Sequence, residues 1–285
     1  MRVAHNEVSL RSGLKQAIAE ADNAFGDATI YIEKFIEKAR HVEVQILGDQ
    51  HGSIVHLYER DCSMQRRHQK LIEESPCPVL NPDQRHDLCK AALRLCRAAD
   101  YYSAGTVEFL MDARKNKFYL MEVNTRIQVE HPVTEMVTGI DIVKTQIAVA
   151  AGEKLPFTQR QIKQTGHAIE VRINAEDSDN DFAPSAGRIT LFDPPGGPGV
   201  RVDTHCYTGY RVPPNYDSMI AKLIAHQPTR EQAIATLRRA LVEFRIQPIH
   251  TTIPLHSELM RNGNFIKGTI DIHFVERLLD HQGRV

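Results

Sequence analysis

The sequence has no excess of either charge: its 35 basic and 36 acidic residues nearly cancel. Nothing global therefore marks a nucleic-acid or anionic-membrane partner. No apolar run is long enough for a transmembrane helix, and no signal-type apolar segment follows Met1. The five cysteines, Cys62, Cys77, Cys89, Cys96 and Cys206, are odd in number and lack C-x-x-C spacing. That argues against a zinc site or a disulfide frame and fits reduced thiols in the cytoplasm. There is no H-x-x-x-H pair, so a helical zinc site is not expected. Residues 194–199 (PPGGPG) look like a phosphate loop, but no Gly-Lys-Ser/Thr follows and the prolines remove N–H donors. They read as a turn. Repeats and low-complexity segments are also missing.

What is present is enough for one large domain or two ordinary ones: 285 residues, 42% of them apolar. Residues 7–25 read as a helix with Val8, Leu14, Ile18 and Ala21 inward, stopped by Gly26. Residues 29–36 read as a strand, and 41–47 with 54–59 as a hairpin. Asn81-Pro82 starts a helix running to about Asp100. Residues 105–111 and 118–124 form a second expected hairpin, and a helix is expected over 140–151. The polar stretch 153–165 reads as a domain joint. Beyond it the texture is β-rich, with strands expected at 168–173, 187–192, 200–204 and 219–226. Thr229 with Gln232 signals a helix to about Phe244, and 272–279 reads as helical.

From Glu122 to Glu130 every second residue is polar: Glu122, Asn124, Arg126, Gln128, Glu130. In an extended chain these side chains share one face, along a line of roughly 25–30 Å. Such a row can bind a metal, hold an anion and supply a base; the alternative is a half-buried strand with a wet face. If the second hairpin turns at Arg114-Lys115-Asn116, Glu108 lies opposite Glu122. Two carboxylates about 5 Å apart repel by roughly 3 kcal/mol at an effective dielectric near 20. A favourable cross-strand pair returns only about 0.2–1 kcal/mol. A divalent cation accounts for the pair better than sheet stability does, and magnesium or manganese suits Glu108, Glu122 and Asn124.

The densest cationic cluster is Arg60–Lys70 (RDCSMQRRHQK). It reads as a solvated loop, as a nucleic-acid patch (although no aromatic residue interleaves it), or as a pocket for a small anion. Composition alone does not choose among these. His131, before Pro132, reads as structural rather than as a ligand.

Three strings together, RDCSMQRRHQK at 60–70, MEVNTRIQVEHPVTEM at 121–136 and RINAED at 172–177, resemble biotin carboxylase over nearly the whole chain. The chain looks most like the stand-alone subunit of bacterial acetyl-CoA carboxylase, and it contains no Met-Lys-Met biotinyl motif. The resemblance implies an α+β fold: an ATP-grasp lobe, antiparallel sheet with helices, over 1–152, then a biotin carboxylase C-terminal domain over 153–285. It implies ATP-dependent carboxylation of carrier-bound biotin with bicarbonate, using ATP and two Mg2+ or Mn2+ ions. Implied partners are a biotin carboxyl carrier protein, carboxyltransferase subunits and a second copy of the chain, with no nucleic acid or membrane and a cytoplasmic location.

By the same resemblance, Glu33, Lys34 and Ile36 meet adenine, and His41, Gln65 and His68 line the nucleotide. Glu108, Glu122 and Asn124 hold the metal. Lys70, Arg126, Gln128 and Val129 bind bicarbonate, Val129 through its backbone. Glu130 is the base, and Arg172 steadies the biotin enolate. Pro198 and Arg201 lie in the segment matching the dimer contact. One departure stands out: the family's glycine-rich phosphate loop ends in Gly-Met-Arg, whereas this sequence opens at Met1-Arg2-Val3. The chain alone is therefore expected to bind ATP weakly and turn over little. Alternatives are an inactive dimerisation or binding module, the equivalent part of another acyl-CoA or pyruvate carboxylase, and an ATP-grasp ligase for another substrate.

Overall fold

The computed structural model describes residues 2–112, 114–115 and 117–284. It comprises two units, the first ending at Glu37 and the second starting at Lys38. In the first, helix α1 (Glu7–Phe25) begins with a reciprocal capping box: the Asn6 side chain accepts from the Ser9 N–H, and the Ser9 hydroxyl accepts from the Asn6 N–H. Gly26, at φ +68°, ends it in a left-handed cap. The expected inward stripe is not inward: no residue of α1 is buried, and Val8 is 79% exposed. Nor is there a strand at 29–36, where the chain has no regular structure. A β-type run gains its stability from a paired neighbour, and this unit has none among its described residues.

The second unit is built on an eight-stranded antiparallel sheet. Its strands include β1 (Ala39–Gly48), β2 (Ile54–Arg66), β3 (Gln69–Ser75), β4 (Ser103–Asp112), β5 (Lys117–Asn124) and β6 (His167–Asn174). The order across it is Val200–Thr204, Met219–Gln227, β6, β3, β2, β1, β4, β5. The sheet does not break at the expected joint, because β3 hydrogen-bonds directly to β6. Period-2 alternation sorts the faces. On one, Val42, Val44 and Ile46 of β1 pack with Val107 and Phe109 of β4 and with Leu88, Ala92 and Cys96 of α2 (Pro82–Ala98). On the other, the intervening His41, Glu43 and Gln45 are polar and still buried. At the far end Val171 and Ile173 pack with Leu223 and with Leu237 and Leu241 of the helix Arg230–Glu243.

The structure corrects several expectations. Arg60–Lys70 is no solvated loop: β2 runs through to Arg66, and Arg60 and Ser63 are almost wholly buried. The run's first six residues lie in mid-sheet, where ion pairs with neighbouring strands replace water, and only Arg67, His68 and Gln69, around the turn, are exposed. The expected strand 187–192 splits into Gly187–Arg188, paired with Arg211–Val212, and Leu191–Asp193, paired with Arg245–Gln247. The polar row does not stay extended. Strand β5 stops at Asn124, and 125–130 turn into an unforeseen helix, α3 (His131–Thr138), which has Pro132 in its first turn. The expected helix over 140–151 is α4 (Ile142–Ala150).

The two-residue turn between β2 and β3 is Arg67-His68, with φ of 46° and 64°. That is the geometry of a type I′ turn, which favours Asn-Gly. Glycine carries no Cβ penalty at positive φ, against about 1–2 kcal/mol for an L side chain, but it adds unfolded-state entropy. His68→Gly is therefore expected to stabilise the protein by about 0.5–1 kcal/mol in urea unfolding. No change or a loss would show that contacts of His68 outweigh the turn strain.

Candidate active site

The register lines up one residue from each of four strands on the polar face, three of them buried and Glu122 exposed at the edge. Arg60 pairs with Glu43, Glu43 with Glu108, and Glu108 with Glu122. The Glu108–Glu122 pairing agrees with the sequence expectation, but the turn alone does not set it. Near the loop, Phe109 pairs with Leu120, and a bulge after it brings Glu122 opposite Glu108. The turn expected at 114–116 lies partly outside the described residues.

Three successive carboxylates would repel strongly; Lys70 lies between Glu43 and Glu108, and the Asn124 amide between Glu108 and Glu122. Glu43 is fully buried and accepts from Arg60 Nε and from Lys70 Nζ, both at 2.6 Å. Burial alone would raise the Glu43 pKa, but the adjacent Lys70 and Arg60 hold it well below the usual carboxylate range. Lys70 Nζ also donates to Glu108 Oε1 at 3.1 Å and to Glu130 Oε1 at 2.5 Å. Arg172 Nη2 donates to the other Glu130 oxygen at 2.9 Å, and Arg172 Nε to Glu73 Oε1 at 2.6 Å. The result is a chain of alternating sign: Arg60, Glu43, Lys70, Glu130, Arg172, Glu73. His41 Nε2 lies 3.1 Å from Glu108 Oε2 and 3.5 Å from Glu43 Oε2. Burial lowers the imidazole pKa, yet these two carboxylates raise it to about 9.

Of the residues singled out in the sequence, Lys70, Glu108, Gln128, Glu130 and Arg172 come together here. Gln128 donates to Glu108 Oε1 at 2.7 Å and accepts from Arg60 at 3.3 Å. Gln65 is buried, with its amide 2.9 Å from His41 Nδ1. The Val129 carbonyl accepts from Lys222 Nζ at 3.0 Å. Arg126 is exposed, donating to the carbonyl of Ile127, and His68 is exposed at the β2–β3 turn. Glu33, Lys34 and Ile36 belong to the first unit. Arg201 ties Glu135 to Asp203.

The chemistry of the metal donor set decides whether an ion fits. Asn124 Nδ2 lies 3.1 Å from both Glu108 Oε1 and Glu122 Oε1. The two ends of an amide are nearly isosteric, so turning Asn124 over presents an all-oxygen set of two carboxylates and a carbonyl. That fits a hard divalent cation.

Sequence reasoning missed Glu43, Glu73 and Lys222, and it missed what holds Arg172. The β3–β6 ladder ends at Ile72 and Val171. The Arg172 carbonyl is met instead by the Thr252 hydroxyl at 3.0 Å and by Nε2 of His256, from the helix Ile253–Leu259, at 2.7 Å. The signal was there, since His41-Glu43-Gln45 and Glu170-Arg172-Asn174 alternate as the 122–130 row does.

Comparison with known proteins places the chain in a family. The pattern of the family described as carbamoyl-phosphate synthase L chain, ATP binding domain, matches residues 1–158, and that of the biotin carboxylase C-terminal domain matches residues 170–277. Biotin carboxylase of Nostoc sp. is 54% identical over 92% of this chain and 58% of its own length. A pyruvate carboxylase subunit of Methanothermobacter thermautotrophicus is 50% identical over 97% of this chain and 56% of its own. The Hydrogenobacter thermophilus 2-oxoglutarate carboxylase biotin carboxylase domain dimer, in complex with MgADP, ADP and bicarbonate, superposes with a TM-score of 0.90. It is 46% identical, with 97% of this chain and 61% of that one covered. The chain belongs to the biotin carboxylase family. It has the family's ATP-grasp fold and C-terminal domain, in an α+β architecture. It spans less than two thirds of the length of each of these relatives.

In this member of the biotin carboxylase family the His256 support gives a pH signature. Burial holds the imidazole at about 4, against an ordinary value of 6.5, although its bond to the Arg172 carbonyl opposes the shift. A depressed pKa means a contribution complete above pH 6.5 and lost as the pH falls toward about 4. His256→Gln keeps a donor and cannot ionise. Urea unfolding between about pH 7 and pH 4 should show a shallower loss in the variant; equal slopes would contradict the assignment.

Proposed function

We propose that the chain catalyses ATP-dependent carboxylation of biotin on a carrier protein, with bicarbonate as carbon source, and that the Lys70–Glu130–Arg172 cluster performs it. The observation that carries this reading is a buried carboxylate, Glu130, gripped by two cations that an incoming anion can claim. A bicarbonate that takes over donors of Lys70 and Arg172 frees the Glu130 oxygens as the substrate arrives. Glu130 then accepts the bicarbonate proton. Lys70, Arg126 and Gln128 hold the anion with the backbone of Val129. Arg126, exposed and bonded only to its neighbour's carbonyl among the described residues, is free to swing onto it. Arg172 opposes the negative charge that develops on biotin during transfer.

Glu108, Glu122 and Asn124 would hold Mg2+ or Mn2+, two ions in all, and the metal when bound neutralises phosphate charge. His41, Gln65 and His68 would line the nucleotide, and Glu33, Lys34 and Ile36 its adenine. The division into an ATP-grasp part (1–152) and a C-terminal domain (153–285) belongs to the same reading. So do a carboxyltransferase partner and a homodimer through the Pro198–Arg201 segment. Five free, buried cysteines support a reducing cytoplasmic setting, and no helix among the described residues is long and apolar enough to cross a membrane.

The first reading of the pathway is the opening half-reaction of acetyl-CoA carboxylase in fatty acid synthesis. The half-identical pyruvate carboxylase relative favours a second, in which the final acceptor is a keto acid. Two variants test the chemistry, assayed with MgATP, bicarbonate and free biotin in the active enzyme that contains this chain. Glu130→Gln should lower bicarbonate-dependent ATP hydrolysis and biotin carboxylation together, by about 10²–10⁴-fold. Arg172→Ala should abolish biotin carboxylation and largely spare the hydrolysis. Equal loss of both in Arg172→Ala would remove its biotin role.

A further inference from the structure

A second pair of opposed glutamates lies behind Arg172. Glu73 of β3 and Glu170 of β6 are register partners, and both are fully buried. Opposed Cβ atoms in a ladder are about 4.5–5.5 Å apart. Glu73 Oε1 is taken by Arg172. Among the described residues no donor reaches Glu73 Oε2 or either oxygen of Glu170. If both groups were ionised, two charges and three acceptor oxygens would be buried with one guanidinium edge between them. Burying an uncompensated charge is strongly unfavourable, and an unpaired buried acceptor adds to it. A single proton relieves most of this: it removes one of the two charges, and the neutral carboxyl has a donor to offer the free oxygen opposite it.

The surrounding charges do not supply an alternative. Lys70, on β3, is engaged by Glu43, Glu108 and Glu130. Lys222, opposite Arg172 on the next strand, points its ammonium at the Val129 carbonyl, with Asp203 at 3.6 Å. Glu130, ahead of α3, faces Arg172 and offers no cation. On α3, His131 and Glu135 lie 4.0 Å from each other, and Glu135 pairs with Arg201. Burial, with Glu73 adding to it, keeps the Glu170 carboxyl well above its ordinary pKa. Burial likewise raises Glu73 to about 7, although Arg172 opposes it.

We propose that Glu73 and Glu170 share one proton, held on Glu170, and act together as a positioning pair for Arg172. The Glu170 O–H donates to Glu73 Oε2, which fixes the second oxygen of the carboxylate and so the plane in which it meets Arg172 Nε. The shared proton also draws charge out of Glu73. Arg172 Nη2, 2.6 Å from Glu73 Oε1 and 2.9 Å from Glu130 Oε2, then stands between one weakened carboxylate and one full one, which favours its bond to Glu130. The catalytic consequence rests on the biotin role proposed above for Arg172; the proton-sharing pair does not.

The test uses the whole chain without nucleotide, bicarbonate or biotin, so its failure is separable from failure of the carboxylase reading. Infrared spectra near pH 7 should contain the C=O band of a buried protonated carboxyl, and Glu170→Gln should remove it. In ¹⁵N NMR the Arg172 Nε–H resonance, assigned by its loss in Arg172→Lys, should stay in place in Glu170→Gln, whose amide still donates. It should shift in Glu170→Leu, which has no donor. An acid band that is absent from the wild type, or that survives in Glu170→Gln, overturns the proposal. So does an unmoved Arg172 resonance in a folded Glu170→Leu. Should the leucine variant fail to fold, the infrared comparison still decides.

Discussion

The ammonium of Lys70 lies within 3.1 Å of carboxylates from three segments: Glu43 of β1, Glu108 of β4 and Glu130 in the turn before α3. Each alone would pay heavily for leaving water. Packed without a cation they would repel one another by roughly 3 kcal/mol per contact at an effective dielectric near 20. One cation serves all three, and Arg60 and Arg172 close the two ends. The site is therefore a single electrostatic object. Its geometry is fixed because moving any charge leaves another unpaired.

The sheet makes this possible. Antiparallel register brings side chains distant in sequence to about 5 Å on one face. Arg60, Glu43, Glu108 and Glu122 become neighbours in that way. Where the β3–β6 ladder stops, Lys70 and Arg172 diverge on either side of Glu130, and Thr252 and His256 take up the carbonyl that the ladder leaves. Backbone irregularity and chemistry thus coincide: the bulge near Glu122, the turn at Arg67-His68 and the ladder's end all border the charged row.

Much of this is legible in the sequence, and the failures have physical causes. Capping signals locate α1 and α2 because a cap is a local hydrogen-bond pattern. The Glu108–Glu122 pair is legible, although a bulge rather than the turn alone delivers it. The 122–130 row reads as one extended line only if the proline signal for α3 at its end is passed over. A solvated loop stays among the readings of Arg60–Lys70 because a charge run usually is one. What buries it is long-range pairing with Glu43 and Thr134, which no window of sequence contains. Glu43 and Glu170 escape notice for the same reason: an isolated glutamate in an alternating strand announces a wet face, and only the sheet order makes it a buried one.

A double-mutant cycle between Lys70→Met and Glu130→Gln, read by urea unfolding near neutral pH, tests most directly whether the row is one coupled unit. The account predicts a coupling energy above about 1 kcal/mol, because Lys70→Met leaves the buried Glu130 charge without this partner, a cost that the double change removes. Single effects that add to within about 0.5 kcal/mol would mean that Lys70 and Glu130 are energetically independent and that the row is not one object.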